Sequence, residues 1–424
     1  MKLKIKIAVI GVGYVGLPVA ISLSKHFDVI AYDNNRVRIT ELTKGKDTNL
    51  DISKKDLSKK SNTIKFTYNF NEIKKCNFYI ITLPTPVNNK NQPNLKNISK
   101  VNYNLSKILK RNDIVVYEST VYPGCTENRF VKELKKFTSF EYNKDFYVGY
   151  SPERINPGDK NKKIHNINKL VSASNKKALS IIKKVYELVV TDAKVITTKS
   201  IIVAESAKII ENTQRDLNIA LINEFSLILK KLNVSRSEVL KAAKTKWNFL
   251  DFHPGLVGGH CIGVDPYYLA FIAKKIKIKP NLILSGRNLN ENYYKTIIGS
   301  LINNASKKNI DLSKSNLLLC GLTFKSNTPD LRNSQTLKIY KKIMNKVGNI
   351  DLYDPIVKKD LIFNIYKKQS VNKLKKNTYD IIVITVKHKE FLKNKKLILS
   401  SLKPNRVIID IPQLFNEKIY DATL

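Results

Sequence analysis

The apolar residues of this chain fall first into short runs. Residues 6–10 read as a buried strand, 17–25 as the helix behind it, and strand-like runs follow at 29–32, 78–83, 114–118 and 146–149. Pro84 and Pro86 stop the third strand abruptly, and Pro123-Gly124 close the turn after the fourth. Short β-rich runs alternating with helical stretches predict βαβ units and a parallel sheet. From 200 to 232 the pattern changes to one long helical run without Gly or Pro. Its apolar positions, among them Ile209, Ile210, Leu217, Ala220, Leu221 and Leu227, wrap most of the circumference. Such a helix is buried, or packs against another subunit. A second helix is expected to begin at Ser235, where Ser235-Arg236-Ser237-Glu238 fits a capping box. Residues 247–266 form a Gly-rich loop, with more helix to about 308. Strands resume at 317–320, 350–353, 379–386 and 407–411. The central helices thus join two α/β halves, with no repeat visible beyond the shared alternation.

Composition narrows the function classes. Hydrophobic content of 42% and charged content of 26% are ordinary for a globular protein, and no apolar run reaches the roughly eighteen residues of a membrane span. The opening Met1-Lys2-Leu3-Lys4-Ile5-Lys6 resembles a signal n-region, but glycines follow and no small-residue cleavage site appears, so a cytosolic protein is expected. Cys76, Cys125, Cys261 and Cys320 are not at metal-ligand spacing, and the five histidines form no H-E-x-x-H, so no metal is expected. The net charge of +40 invites a nucleic-acid partner. Only ten of the 75 basic residues are Arg, however, whereas phosphate and base recognition lean on Arg forks. Lys is scattered beside Asn and Ile, residues with A/T-rich codons. The charge reads as a solvated coat, and no nucleic acid is expected as partner.

Gly11-Val12-Gly13-Tyr14-Val15-Gly16 lies between the first strand and its helix. Glycines there allow a tight turn and let backbone approach a pyrophosphate, which the helix N-terminus attracts. Asp33 closes the next strand; its carboxylate suits an adenosine ribose and repels a 2′-phosphate, so NAD is expected as cofactor rather than NADP. Thr85, Ser119, Thr120 and Glu153 stand at later strand ends, where open α/β sheets bind ligands. Tyr14, Val15 and Arg38 complete the expected cofactor set.

The most informative stretch is Gly258-Gly259-His260-Cys261-Ile262-Gly263-Val264-Asp265. Two glycines before a cysteine let backbone and substrate come close. A thiol beside a hydride-transfer site can capture an aldehyde as a thiohemiacetal, which loses a second hydride to become a thioester that water hydrolyses. Lys208, Asn212 and Arg215 share a face of the long helix. Lys208 and Asn212 are suited to donate hydrogen bonds to a developing oxyanion; an ion pair of Lys208 with Glu205 or Glu211 explains the same spacing equally well.

These residues resemble the UDP-glucose/GDP-mannose dehydrogenase family, from about residue 5 to about 412. The first glycine motif, Leu83-Pro84-Thr85-Pro86, Ser151-Pro152-Glu153-Arg154, Gly258-Gly259-His260-Cys261, Gly321-Leu322-Thr323-Phe324-Lys325 and Asp330-Leu331-Arg332-Asn333-Ser334 carry the likeness in order. The resemblance implies an NAD-binding Rossmann domain over 1–198, a central helical dimerisation region with the cysteine loop over 199–308, and a nucleotide-sugar-binding Rossmann-like domain over 309–424. Both flanking domains would hold doubly wound parallel sheets, and the partner would be a second copy in a homodimer. It also implies oxidation of a sugar C6 alcohol to a carboxylate with two NAD per turnover. Carried over, Cys261 is the nucleophile, Lys208 and Asn212 hold the C6 oxygen, and Asp265 orders a water. Glu153 is the base for thioester hydrolysis and Thr120 supports water placement. Arg154, Gly258, Lys325 and Arg332 join the substrate set, and Arg287 reaches a neighbouring subunit's substrate. In the UDP-glucose branch Pro-Lys precedes the Asp; here Gly263-Val264 stands there, a form more similar to enzymes acting on UDP-N-acetylhexosamines for capsule and O-antigen sugars. The expected substrate is UDP-N-acetylglucosamine or an epimer, with UDP-glucose or GDP-mannose as the alternative. A two-electron NAD dehydrogenase or a non-catalytic nucleotide-sugar binder is the remoter one.

Overall fold

The strands of the first half are β1 (Lys6–Ile10), β2 (Asp28–Tyr32), β3 (Ile64–Thr67), β4 (Phe78–Ile81), β5 (Asp113–Tyr117), β6 (Phe146–Tyr150), β7 (Lys169–Ala173) and β8 (Val195–Thr197). Every residue of β4, β5 and β6 is buried, as is all of β1 after Lys6. Strands covered on both faces belong in a parallel sheet flanked by helices. The sheet order is β3-β2-β1-β4-β5-β6-β7-β8. Neighbours run parallel except β6 and β7, which are antiparallel. The order reverses between β1 and β4, the switch point at which such sheets bind ligands. The computed structural model describes residues 5–47, 52, 57, 63–154, 163–259, 261–415 and 419–422; Met1 to Lys4 and His260 lie outside the described residues.

The hydrophobic pattern does not announce β3, β7 or β8. They lie at the two ends of the sheet, are short, and mix Lys, Thr and Ser with their apolar residues. Strands of three to five residues with that composition leave no clear period-two signal. The helical stretch expected to run to 308 is two helices, Asp265–Lys275 and Asn281–Lys307. Between them Lys277 turns left-handed at φ +63° and Pro280 precedes the second helix, a break that proline enforces.

The chain folds into two compact units, Met1–Glu211 with Tyr267–Ile278 and Asn212–Pro266 with Lys279–Leu424. The Ile201–Lys231 helix therefore contributes to both. The second unit holds a parallel sheet of β9 (Asn316–Cys320), β10 (Asn349–Tyr353), β11 (Tyr379–Ile384) and β12 (Leu402–Asp410), in the order β10-β9-β11-β12.

A duplication that the sequence hides is plain in the hydrogen bonds. After β1, Gly11 turns at φ +98° and donates to Tyr32 O; after β9, Gly321 turns at φ +85° and donates to Tyr353 O. Val12 N–H donates to Asp33 at 2.9 Å and Leu322 N–H to Asp354 at 2.7 Å. The Thr82 hydroxyl donates to Gly11 O, the Thr385 hydroxyl to Gly321 O. One strand–turn–acid–threonine frame thus serves both units. They diverge beyond it. In the first, the helix Gly16–Leu23 starts at once, because a Cβ on Gly16 would lie 1.8 Å from Gly11 O. In the second the next helix begins only at Gln335. The second acid is also sealed: His388, fully buried, places Nε2 3.3 Å from Asp354 while its Nδ1 accepts from Asn327 N–H.

Candidate active site

In the first unit, the helix after the glycine turn has no side chain capping its N-terminus; Leu17 N–H donates to Gly13 O at 3.0 Å and Pro18 carries no N–H. A Cβ on Gly13 would meet nothing within 4 Å, which leaves room for a ligand at the turn. Each Asp33 oxygen accepts one backbone N–H, from Val12 and from Asn35. A carboxylate oxygen has a second lone pair, so Asp33 is held in place and retains capacity for ribose hydroxyls. Arg38 is buried behind the loop, donating to Val12 O and pairing with Asp47 at 2.6 Å. Tyr14 and Val15 lie in the turn itself, and Thr85 follows β4, its carbonyl accepting from Tyr268 Oη at 2.8 Å. Ser119 is buried against Ile81 O, and Thr120 beside it is half-buried. These groups fit a dinucleotide: an open helix end for the pyrophosphate and a fixed acid for the ribose.

Glu118 and Lys169 were not among the predicted residues. Glu118 immediately follows β5, and its carboxylate accepts from Lys169 Nζ at 2.6 Å and from Tyr186 Oη at 2.5 Å; all three residues are buried. Glu153 follows at the end of β6. Arg154 beside it pairs with Glu211 at 2.5 Å and donates to Asn168 O. Glu205 is spent on the N–H groups of Gly124 and Thr126. Among the described residues, neither acid offered as an ion-pair partner therefore holds Lys208, which is 8% exposed on the same helix. Burial pushes the Glu205 carboxyl up to about 7, against the two backbone donors that pull it down.

In the second unit, Cys261 is half-buried, in no disulfide, and its carbonyl accepts from Val264 and Asp265 N–H, so it sits in the turn that opens the Asp265–Lys275 helix. Asn212 donates to Asp265 at 2.5 Å, joining the long helix to the cysteine turn. The loop before Cys261 is fastened repeatedly: Asn223 bonds Gly255 through both its amide atoms, Gln335 donates to Val257 O, and Asn333 to Gly259 O. Gly259 has φ +84°, and a Cβ there would lie 2.7 Å from the Phe324 ring. A cavity of about 230 Å³ opens here, lined by Gly258, Phe324, Lys325, Gln335, Thr336 and Lys387 among others. Two lysines and several hydroxyls suit an anionic, hydrogen-bonding ligand. Arg332 is exposed and paired with Asp330 at 2.6 Å.

Arg287, expected to reach a neighbouring subunit's substrate, is 1% exposed in the single chain and binds Asp216 at 2.5 Å. Asp216 also accepts from Asn290, which accepts from Asn223. A charged guanidinium buried among helices must find its acid, and Asp216 supplies it. An acid inside a run as apolar as 216–222 is the signal in the sequence that points to the pair.

A glycine turn with an acid after the next strand in one unit, and in the other a cysteine turn next to a lysine-lined cavity, suit a nucleotide-dependent oxidoreductase. Three family models match in sequence: the NAD binding domain (5–190), central domain (202–292) and UDP binding domain (318–417) of the UDP-glucose/GDP-mannose dehydrogenase family. The chain is 46% identical over 388 residues to UDP-N-acetyl-D-glucosamine 6-dehydrogenase of Salmonella typhi, covering 92% of this chain and 91% of that one. It is 42% identical to the enzyme of the same name in Pseudomonas aeruginosa, over 99% of both chains. The solved UDP-D-ManNAc dehydrogenase of Pyrococcus horikoshii superposes with a TM-score of 0.86 at 30% identity, over 97% of this chain and 96% of that one. This chain belongs to the UDP-glucose/GDP-mannose dehydrogenase family and is an NAD-dependent nucleotide-sugar dehydrogenase. Among the described residues no helix is long and apolar enough to cross a membrane.

Proposed function

We propose that the enzyme oxidises the C6 hydroxymethyl of UDP-N-acetylglucosamine, or of its C2 or C4 epimer, to the uronic acid. The observation that carries this is the cysteine turn, with Asn212 bonded to Asp265 and Gly263-Val264 beside the nucleophile. NAD, held by the Gly11–Gly16 turn and Asp33, supplies the hydride acceptor for both oxidations. Lys208 and Asn212 hold the C6 oxygen as charge develops on it. The Cys261 sulfur adds to the aldehyde carbon, and after the second oxidation the thioester carbon is attacked by water, with Glu153 taking the proton. Lys325 and Lys387 offer their charge to the diphosphate of the sugar nucleotide. A panel of UDP-sugars read by NADH absorbance tests this. UDP-N-acetylhexosamines should exceed UDP-glucose at least about tenfold in kcat/KM, given that one buried methyl group contributes about 1–3 kcal/mol, with two NADH per sugar. Equal rates with UDP-glucose, or one NADH with released aldehyde, would reject it.

Leu221, Phe225 and Ile228 of the long helix and Leu232 just beyond it are exposed, as is Trp247, the chain's one tryptophan, at 90%. An apolar stripe of this kind needs a cover, and a second copy of the chain in a homodimer is the partner proposed. The cytoplasm, where NAD and sugar nucleotides are at hand, is the compartment this reading implies.

A further inference from the structure

Glu118, Lys169 and Tyr186 take no part in the chemistry just described, yet they form a fully buried charged cluster in the first unit. Burying an ammonium and a carboxylate forfeits the hydration of both, and apolar residues of similar size are commonly no less stable there. Stability alone does not account for the cluster; its place in the fold does. Lys169 Nζ lies 2.6 Å from Glu118 and within 3.4 Å of the carbonyl oxygens of Ser151 and Pro152, with the Tyr186 ring 5.2 Å away. Glu118 immediately precedes Ser119 and Thr120, and Pro152 immediately precedes Glu153. One ammonium therefore clasps the ends of β5 and β6, and Ser151 adds bonds from its N–H to Tyr117 O and from its hydroxyl to Leu170 O.

We propose that Lys169 is a positioning residue for thioester hydrolysis, fixing the spacing of the loops that carry Thr120 and Glu153. The inference rests on the assignment of Glu153 as the base. In that step the water oxygen bonds to the thioester carbon and its proton passes to Glu153. The carbon–sulfur bond then breaks with its electron pair going to sulfur, and the Cys261 thiolate recovers the proton as the acid leaves. A carboxylate displaced by about an ångström can cost about a hundredfold in rate, and only the hydrolytic step depends on this one.

The test is rapid-quench kinetics on the full-length enzyme with UDP-N-acetylglucosamine and NAD, with intact-mass analysis of the protein. In Lys169→Met the first turnover should still release two NADH at close to the wild-type rate, while kcat falls about 10–100-fold and a sugar-acyl mass persists on Cys261. Lys169→Arg, which can reach the same acceptors, should recover most of kcat, whereas a purely structural loss would appear as a lower melting temperature with both hydride transfers slowed alike. Should Lys169→Met fail to fold, Tyr186→Phe, which removes a single bond to Glu118, should show a smaller build-up of the same adduct. The proposal is overturned if Glu153→Gln accumulates the adduct and the Lys169 and Tyr186 variants do not. If Glu153→Gln itself accumulates none, the base assignment fails first and carries the proposal with it.

Discussion

At the scale of single residues, what a side chain can do depends on what already occupies it. Asp33 holds two backbone N–H groups, so its replacement acts twice. Asp33→Asn should raise the kcat/KM ratio of NADP to NAD by removing the charge that repels a 2′-phosphate, while also weakening NAD through a looser turn. Initial rates with each cofactor check both effects; a wild-type preference for NADP would show the ribose site to be misplaced. Arg287 behaves differently because it is enclosed. Arg287→Met leaves Asp216 buried with its charge uncompensated, and its Oδ2 already lacks a hydrogen-bond partner among the described residues. Breaking such a pair costs about 3–5 kcal/mol. Urea denaturation should show a loss of that order, and Asp216→Asn in the same background should restore part of it. A loss within experimental error would mean the guanidinium is solvated.

At the scale of elements, the long helix is tied to the loop after β5 through Glu205. Its carboxyl is raised from an ordinary 4.5 to about 7 by burial. The folded state therefore holds this proton more tightly than the unfolded chain. Stability from this group is fully present below about 4.5 and is lost as the pH rises towards 7. Melting temperature followed from pH 5 to pH 8 should fall across that window in the wild type and stay flatter in Glu205→Gln; parallel curves would contradict it. The elements also show what a sequence conveys. Core strands such as β4 and β5 were legible because burial on both faces leaves an unbroken apolar run. The outer β3, β7 and β8 were not, since they are only three to five residues long and mix Lys, Thr and Ser with their apolar residues. The glycine turn and the cysteine turn were legible because their backbones constrain residue type at fixed spacing. Lys169 was not, because nothing local distinguishes it within a chain of 75 basic residues; its meaning lies in Glu118, fifty-one positions away. The duplicated frame was hidden for a related reason: it consists of backbone bonds, one glycine, one acid and one threonine in each unit, with everything between them free to change.

At the scale of the molecule, a net charge of +40 gives long-range attraction to anionic ligands. A sugar nucleotide and a dinucleotide both carry diphosphates, so the coat favours encounter while the buried groups decide what binds. Attraction of that origin fades with added salt.

Trp247 adds something to that picture. An indole surrounded by water emits at longer wavelength than one enclosed by protein, and this chain has a single indole, standing almost wholly in solvent beyond the Arg236–Ala243 helix. The molecule is therefore born with an optical label, and no dye has to be attached to follow its association. If a second copy covers this region, the emission should shift to the blue as protein concentration rises, with a midpoint at the dissociation constant, and Trp247→Phe should silence the signal without altering sedimentation. A spectrum that stays red at concentrations where sedimentation reports a dimer would place the contact elsewhere on the surface.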